Sequence, residues 1–209
     1  MNAEQVNEFF NILEQNKGDI ELDHTNNYTL LVAVILSARM TDKGVNKATK
    51  ELFKIVGTPE DMLQLGEEKL LYHIKTIGLY KTKAVNVMKM SKILVDKFDS
   101  QVPDELEALE SLPGVGRKTA NVMLTHAFHK SAFPVDTHVF RVCNRTGLAP
   151  GKTPVDVEKV LQRITPAKYA LDASHCMVLH GRYICKSLQP LCTECPVKHL
   201  CEYYKNNSN

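Results

Sequence analysis

Leu112-Pro113-Gly114-Val115-Gly116-Arg117-Lys118-Thr119-Ala120-Asn121-Val122 is a bend set between two helical runs, Pro103 to Ser111 before it and Arg117 to Phe128 after it. Pro113 and two glycines predict a tight turn, because glycine tolerates left-handed backbone and lets a second backbone come close. The amides of such a turn, and of the helix N-terminus behind it, form a docking point for an anion such as a phosphate. Lys118 follows one turn into that helix. The same pattern also serves as a plain helix–helix connector with a solvated lysine. A lysine aimed at a phosphate-docking turn points instead to chemistry on a nucleic-acid backbone.

The 209 residues are 44% hydrophobic and 24% charged, ordinary for one or two globular domains. Lys plus Arg number 26 against 24 Asp plus Glu, a formal balance of +2. Any basic surface must therefore be local. Met1-Asn2-Ala3-Glu4-Gln5 lacks a basic segment followed by an apolar core, so no signal peptide is expected. The longest apolar run, Leu30 to Leu36, is too short to cross a membrane. The expected setting is the cytoplasm, on the nucleoid if the source is bacterial, with no membrane partner and no disulfides.

The rest of the chain reads as short helices. Val6, Phe9, Phe10 and Leu13 fall at i, i+3, i+4 and i+7, an amphipathic helix. Tyr28 to Ala38 is apolar nearly all round and reads as a buried helix, with a strand as rival because Val32, Val34 and Ile35 are β-branched. Thr41-Asp42 caps a helix carrying Val45, Ala48 and Leu52. Thr58-Pro59-Glu60-Asp61 is a strong helix start, with a capping hydroxyl, proline at the first helical position, then acids; Thr153-Pro154-Val155-Asp156 repeats the device. Ala84, Val87, Met88, Ser91, Leu94, Val95 and Phe98 mark a longer helix, and Ala167 to Cys185 another. No alternating strand with a hairpin turn stands out. The fold class is all-α, with roughly ten short helices.

Ile77-Gly78-Leu79-Tyr80-Lys81-Thr82-Lys83-Ala84 echoes Pro113 to Ala120 at an offset of 36. Two turns facing one duplex would explain this; so would two helix–turn–helix units converging on one turn type.

Cys185, Cys192, Cys195 and Cys201 stand in a C-x6-C-x2-C-x5-C array, four thiols within 17 residues of a polar, proline-interrupted tail. In a reducing compartment that pattern is a metal site. Zinc and an iron–sulfur cube are the candidates. Paired-knuckle zinc sites separate two C-x2-C units by a longer gap, whereas ligands wrapped around a larger cube suit the spacing here. His199 is a lesser candidate for a zinc ligand. Cys143 and Cys176 sit in helical stretches and read as small buried apolar residues.

Pro134-Val135-Asp136-Thr137-His138-Val139-Phe140-Arg141-Val142 supplies a second candidate. Asp136 is a good N-cap for a helix starting at Thr137. A carboxylate at a helix N-terminus stays ionised, which also suits a group meant to take a proton or face a developing cation. His138 reads as a wall or phosphate contact.

Together these elements resemble the endonuclease III family of the helix-hairpin-helix DNA glycosylases. The resemblance covers nearly the whole chain. It is carried by Leu112 to Ala120, by Val135-Asp136-Thr137-His138-Val139, by Leu179-His180-Gly181-Arg182 and by the cysteine tail. It implies a six-helix domain over residues 20–131, with the hairpin at about 104–128. It implies a second domain from 1–19 and 132–209, with a [4Fe–4S] cluster in the loop 185–201. The expected activity is excision of oxidised pyrimidines from double-stranded DNA, then cleavage at the abasic site, by a monomer. Lys118 would be the nucleophile and Asp136 its partner. The expected DNA contacts are Pro113, Gly114, Val115, Gly116, Arg117, Thr119 and His138. Leu79 matches the family's wedge position, although a turn-packing leucine would look the same. Arg39 departs from the family, which usually has glutamine there to fill the hole left by the extruded nucleotide and contact the opposite base. Arginine there allows a guanine contact or a phosphate contact. The loop Lys186 to Leu191 has fewer basic residues than the family's cluster loop often shows.

The implied chemistry stands on its own terms. A lysine amine has a free pKa near ~10.4, so about one in a thousand is neutral at cytosolic pH. A helix N-terminus, nearby basic groups and partial burial all disfavour the ammonium. Three rival readings fit the same residues: a glycosylase without lyase activity, whose relatives lack lysine at this position; a non-catalytic iron–sulfur DNA-binding or redox module; and a zinc ribbon. Colour separates the last. Purified protein is expected to be brown with a visible absorbance band that bleaches on acid treatment; colourless protein containing zinc would contradict the cluster.

Overall fold

The computed structural model describes residues 1–15 and 22–207. The expected domain join at 19/20 lies outside them. Among the described residues there are twelve α-helices, three short 3-10 turns and no strand. The chain divides into two compact units, Met1–Asp19 with His129–Asn209, and Ile20–Phe128. No helix among the described residues is long and apolar enough to cross a membrane.

The Ile20–Phe128 unit is built around α2 (Asn27–Ser37), in which every residue from Tyr28 to Leu36 is buried. A helix apolar on all sides is stable only when other helices surround it. Here α3 (Asp42–Thr49), α6 (Tyr80–Lys97) and α8 (Arg117–His126) pack against it. The strand rival is settled locally: Asn26 Oδ1 accepts from Thr29 N (2.9 Å), and Thr29 Oγ1 accepts from Asn26 N (3.0 Å). That reciprocal cap starts a helix. Tyr28 donates its hydroxyl to Ser91 Oγ (2.7 Å), which passes its own proton to Val87 O (2.8 Å). Burial pushes the Tyr28 hydroxyl's pKa up, so it remains a neutral donor. Helices α4 (Pro59–Leu65) and α5 (Glu67–Ile74) close the unit against α6, and α7 (Leu106–Glu110) pairs with α8.

Three expected helices differ in extent. Leu52 lies beyond α3 in a 3-10 turn, Leu52–Lys54, because α3 ends at Thr49. The run before the glycine turn shortens to Leu106–Glu110, with extended Glu105 as its N-cap. The run Ala167 to Cys185 splits into a 3-10 turn, Ala167–Tyr169, and α11 (Ala173–Tyr183), which leaves Cys185 past the helix end.

In the other unit, α1 (Ala3–Glu14) packs on α11, and α9 (Thr137–Thr146) packs on both α11 and α10 (Pro154–Ile164). Phe10 stacks on Tyr169 with centroids 5.7 Å apart, and Phe9 meets Phe10 edge-on at 5.5 Å. Cys143 and Cys176 are buried in this core. The short α12 (Glu202–Asn207) ends the described chain.

Both Thr-Pro starts are as expected. Thr58 Oγ1 accepts from Asp61 N (3.1 Å) at α4, and Thr153 Oγ1 from Asp156 N (3.2 Å) at α10, each with the acid returning a bond to the threonine amide. Thr58→Ala and Thr153→Ala should each cost about 1 kcal/mol of unfolding free energy, measured by denaturant titration.

Candidate nucleic-acid interface and metal centre

The glycine bend is a tight turn over Leu112–Val115, closed by Val115 N donating to Leu112 O at 3.1 Å. Proline at its second position and glycine at its third, with φ 83°, are what a type II turn requires. A Cβ on Gly114 would also sit 3.1 Å from Asn86 Cβ. Leu112 and Val115 are buried and fasten the turn to the core. Val115 thus faces inward with its amide already used.

Gly116 is different. Its backbone is extended at φ −96°, and a Cβ there would meet nothing within 4 Å. That side of the bend is open to an approaching chain. Gly116 is the N-cap of α8, and no side chain caps that helix. Lys118 is exposed as the second helical residue rather than a full turn in. Thr119 and Pro113 are half-buried. Arg117 Nη1 lies 3.6 Å from Glu110 Oε2, an ion pair that joins α8 back to α7.

The echo turn closes in the same way, with Tyr80 N donating to Ile77 O at 3.2 Å. Its left-handed third residue is Leu79, at φ 59°, and Leu79 is 65% exposed. The turns are therefore one residue out of register with the sequence echo: Gly78 occupies the place of Pro113, and Leu79 that of Gly114. Arg39, also exposed, is left-handed at φ 61°. Two large side chains in this backbone region are unusual, and such residues cluster at functional sites.

In the other unit, Asp136 is the N-cap of α9. One carboxylate oxygen accepts from His138 N (2.8 Å) and Val139 N (2.9 Å). His138 Nδ1 accepts from Arg141 Nη2 at 3.1 Å, which leaves the ring proton on Nε2. Gly181 lets α11 approach α9 closely, since a Cβ there would lie 2.8 Å from His138 Cβ.

The four tail cysteines line one cavity that is partly open to solvent. Burial first, and the neighbouring thiols Cys201, Cys185 and Cys192 as well, push the Cys195 pKa up to about 11. Cys201 is raised too, mainly by burial. Cys195 and Cys201 thus resist ionisation unless a metal charge compensates them. The surroundings already supply donors: Val197 N to Cys195, Tyr203 N and Tyr204 N to Cys201, and Arg145 Nη1 at 3.7 Å from Cys185 Sγ. Donors to sulfur are what an iron–sulfur site uses to hold thiolates. Among the described residues no three His, Cys, Asp or Glu side chains gather closely enough for a single ion. His199 pairs with Glu8 at 2.9 Å and does not line the cavity.

Three residues escaped the sequence reading. Arg141 Nε donates to Cys185 O (2.9 Å) and its Nη2 to Gly181 O (2.7 Å). Arg145 donates to Lys186 O (2.6 Å) and Ser187 O (3.0 Å). Their i, i+4 spacing was visible, but nothing in it said that one arginine face braces the cysteine loop. The third, Lys83, had a usable signal: with Val87, Met90 and Leu94 it falls at i, i+4, i+7 and i+11, a lysine on an apolar stripe, and all four are buried.

Residues 32–167 match the family described as HhH-GPD superfamily base excision DNA repair protein. The chain is 51% identical over 208 residues to Endonuclease III of Rickettsia conorii, covering 99% of both chains. It is 50% identical over 183 residues to Endonuclease III of Escherichia coli strain K12, covering 88% of this chain and 87% of that one. A trapped Endonuclease III–DNA covalent intermediate matches with a TM-score of 0.90 and 40% identity over 100% of both chains. A thermostable thymine-DNA glycosylase, 24% identical with a TM-score of 0.85, shares the fold over 98% of this chain and 95% of that one. The chain therefore belongs to the HhH-GPD superfamily and, within it, to the endonuclease III family.

The two glycines of the bend should separate experimentally. Gly114→Ala is expected to cost about 1–3 kcal/mol of stability through its left-handed backbone. Gly116→Ala is expected to change stability by less than about 1 kcal/mol while weakening duplex binding in a fluorescence anisotropy titration. Equal effects on stability would contradict the distinction.

Proposed function

We propose that this chain is a base excision repair enzyme, a DNA N-glycosylase for oxidised pyrimidines in duplex DNA and an AP lyase cutting 3′ to the abasic site. The observation that carries the reading is Lys118: an exposed amine in the first turn of an uncapped helix, behind a glycine bend with one open side, in a chain of this family. The bend and the α8 amides suit a DNA phosphate, and Lys118 then stands beside the strand. Because Lys118 is exposed, exclusion of water from its amine falls to the bound duplex.

The lone pair of the neutral Lys118 amine attacks the sugar C1′. The C1′–base bond breaks, and the base leaves with the electron pair and is protonated. Ring opening yields an iminium between Lys118 Nζ and C1′. This acidifies the C2′ proton; its loss feeds electrons toward C3′ and expels the 3′ phosphate. Water then hydrolyses the imine and frees Lys118. Asp136, held by two amides, assists the first step by taking a proton or by facing positive charge on the sugar. Leu79 and Arg39 are the two exposed tips suited to fill the hole left by the extruded nucleotide, Leu79 as an apolar wedge and Arg39 against the opposite base.

Cys185, Cys192, Cys195 and Cys201 would hold a [4Fe–4S] cluster. When bound, it supplies the positive charge that keeps the four thiols ionised and ties the tail fold together. The excision chemistry as written does not pass through it. We further propose that the enzyme acts as a monomer, in the cytoplasm.

Borohydride trapping on abasic duplexes tests the assignment. The parent protein should form a covalent adduct and Lys118→Gln should form none. Asp136→Asn should slow excision of an oxidised pyrimidine by about 10²–10⁴ while trapping at preformed abasic sites falls less. An adduct with Lys118→Gln would move the nucleophile elsewhere. Duplex binding with no adduct from the parent would leave a non-catalytic module.

A further inference from the structure

Lys83 looks like a solvated lysine in the basic segment of the echo turn, but only 6% of it is exposed. Its ammonium donates to two main-chain carbonyls, Leu36 O at 2.8 Å and Ala38 O at 2.7 Å. Both lie where α2 ends, where carbonyls have no helical partners and a positive charge is favoured. The next residue is Arg39, whose left-handed backbone at φ 61° persists only if its surroundings hold it. Lys83 also sits one helical turn behind the other tip. Its own amide donates to Leu79 O at 3.0 Å, the first bond of α6, directly behind the left-handed Leu79. The Lys83 side chain therefore ties the Arg39 loop to the first turn of α6, the helix that starts directly behind the Leu79 turn.

We propose that Lys83 is a positioning residue that holds the Arg39 and Leu79 tips in one fixed arrangement, and so sets the opposite-base preference of the enzyme. The proposal rests on the reading above, in which those tips enter the duplex. Lys83 itself is buried and touches no DNA. Its contribution is that Arg39 meets the opposite base from one direction only. Without the ammonium, the two carbonyls lose their donor, the Arg39 loop samples other conformations, and discrimination among opposite bases falls.

The test uses the full chain with its cluster. Single-turnover excision of thymine glycol is measured against each of the four opposite bases. Borohydride trapping on a single-stranded abasic oligonucleotide, which has no opposite base, is measured alongside. Lys83→Met is expected to slow duplex excision at least 10-fold and to bring the four opposite-base rates within about threefold of one another, with single-stranded trapping within twofold of the parent. Lys83→Arg, which keeps donors and charge, should recover most of the discrimination. In an Arg39→Ala, Leu79→Ala background, Lys83→Met should add less than twofold, because its targets are gone. If Lys83→Met does not fold, the same comparison with Lys83→Gln decides. An unchanged opposite-base profile, an equal loss of single-stranded trapping, or full additivity with the tip variants would overturn the proposal. A parent that neither excises nor traps would instead bring down the enzymatic reading itself.

Discussion

Gly114 holds a backbone angle, φ 83°, that side-chain-bearing residues rarely adopt, and the rest of the hairpin is set from there. The turn places Leu112 and Val115 inward as anchors and starts α8 at Gly116 with no side-chain cap. Lys118 is exposed because it falls at the second position of that helix. The two glycines have different physical tasks: Gly114 makes the bend possible, and Gly116 leaves one side of it open.

A second theme is the use of basic side chains on main-chain carbonyls. Lys83 donates to the end of α2, Arg141 to Gly181 and Cys185, and Arg145 to Lys186 and Ser187. Each target lies in the last turn of a helix or beyond its end, where carbonyls lack regular helical donors.

The tail adds a constraint of its own. Burial, with the neighbouring thiols adding to it, raises the pKa of Cys195 and of Cys201, so these two sulfurs are poorly suited to stand unligated. The four cysteines make physical sense around a multiply charged metal group, with Arg145 and backbone amides stabilising sulfur. Two α9 arginines brace the loop from outside, and a bound metal group would hold it from inside.

The sequence by itself determined the all-helical class, the two Thr-Pro helix starts, the Asp136 cap, the glycine bend and the cysteine array. These are local: a cap, a turn type or a ligand spacing is decided within a few residues. The Asn26–Thr29 cap belonged to this class as well, although only the apolar run behind it was read. Other features needed the tertiary structure. Whether Lys83 meets solvent or the carbonyls of α2, which face of α9 braces the tail, and which of two similar turns puts a leucine in a left-handed position all depend on partners at a distance. Lys83 lies 47 residues from Leu36, and Arg145 lies 42 from Ser187. The periodicity of one helix shows that it has an inner face, but the carbonyls waiting there are exposed only once the neighbouring helix has ended, and where the two helices pack is a property of the folded core.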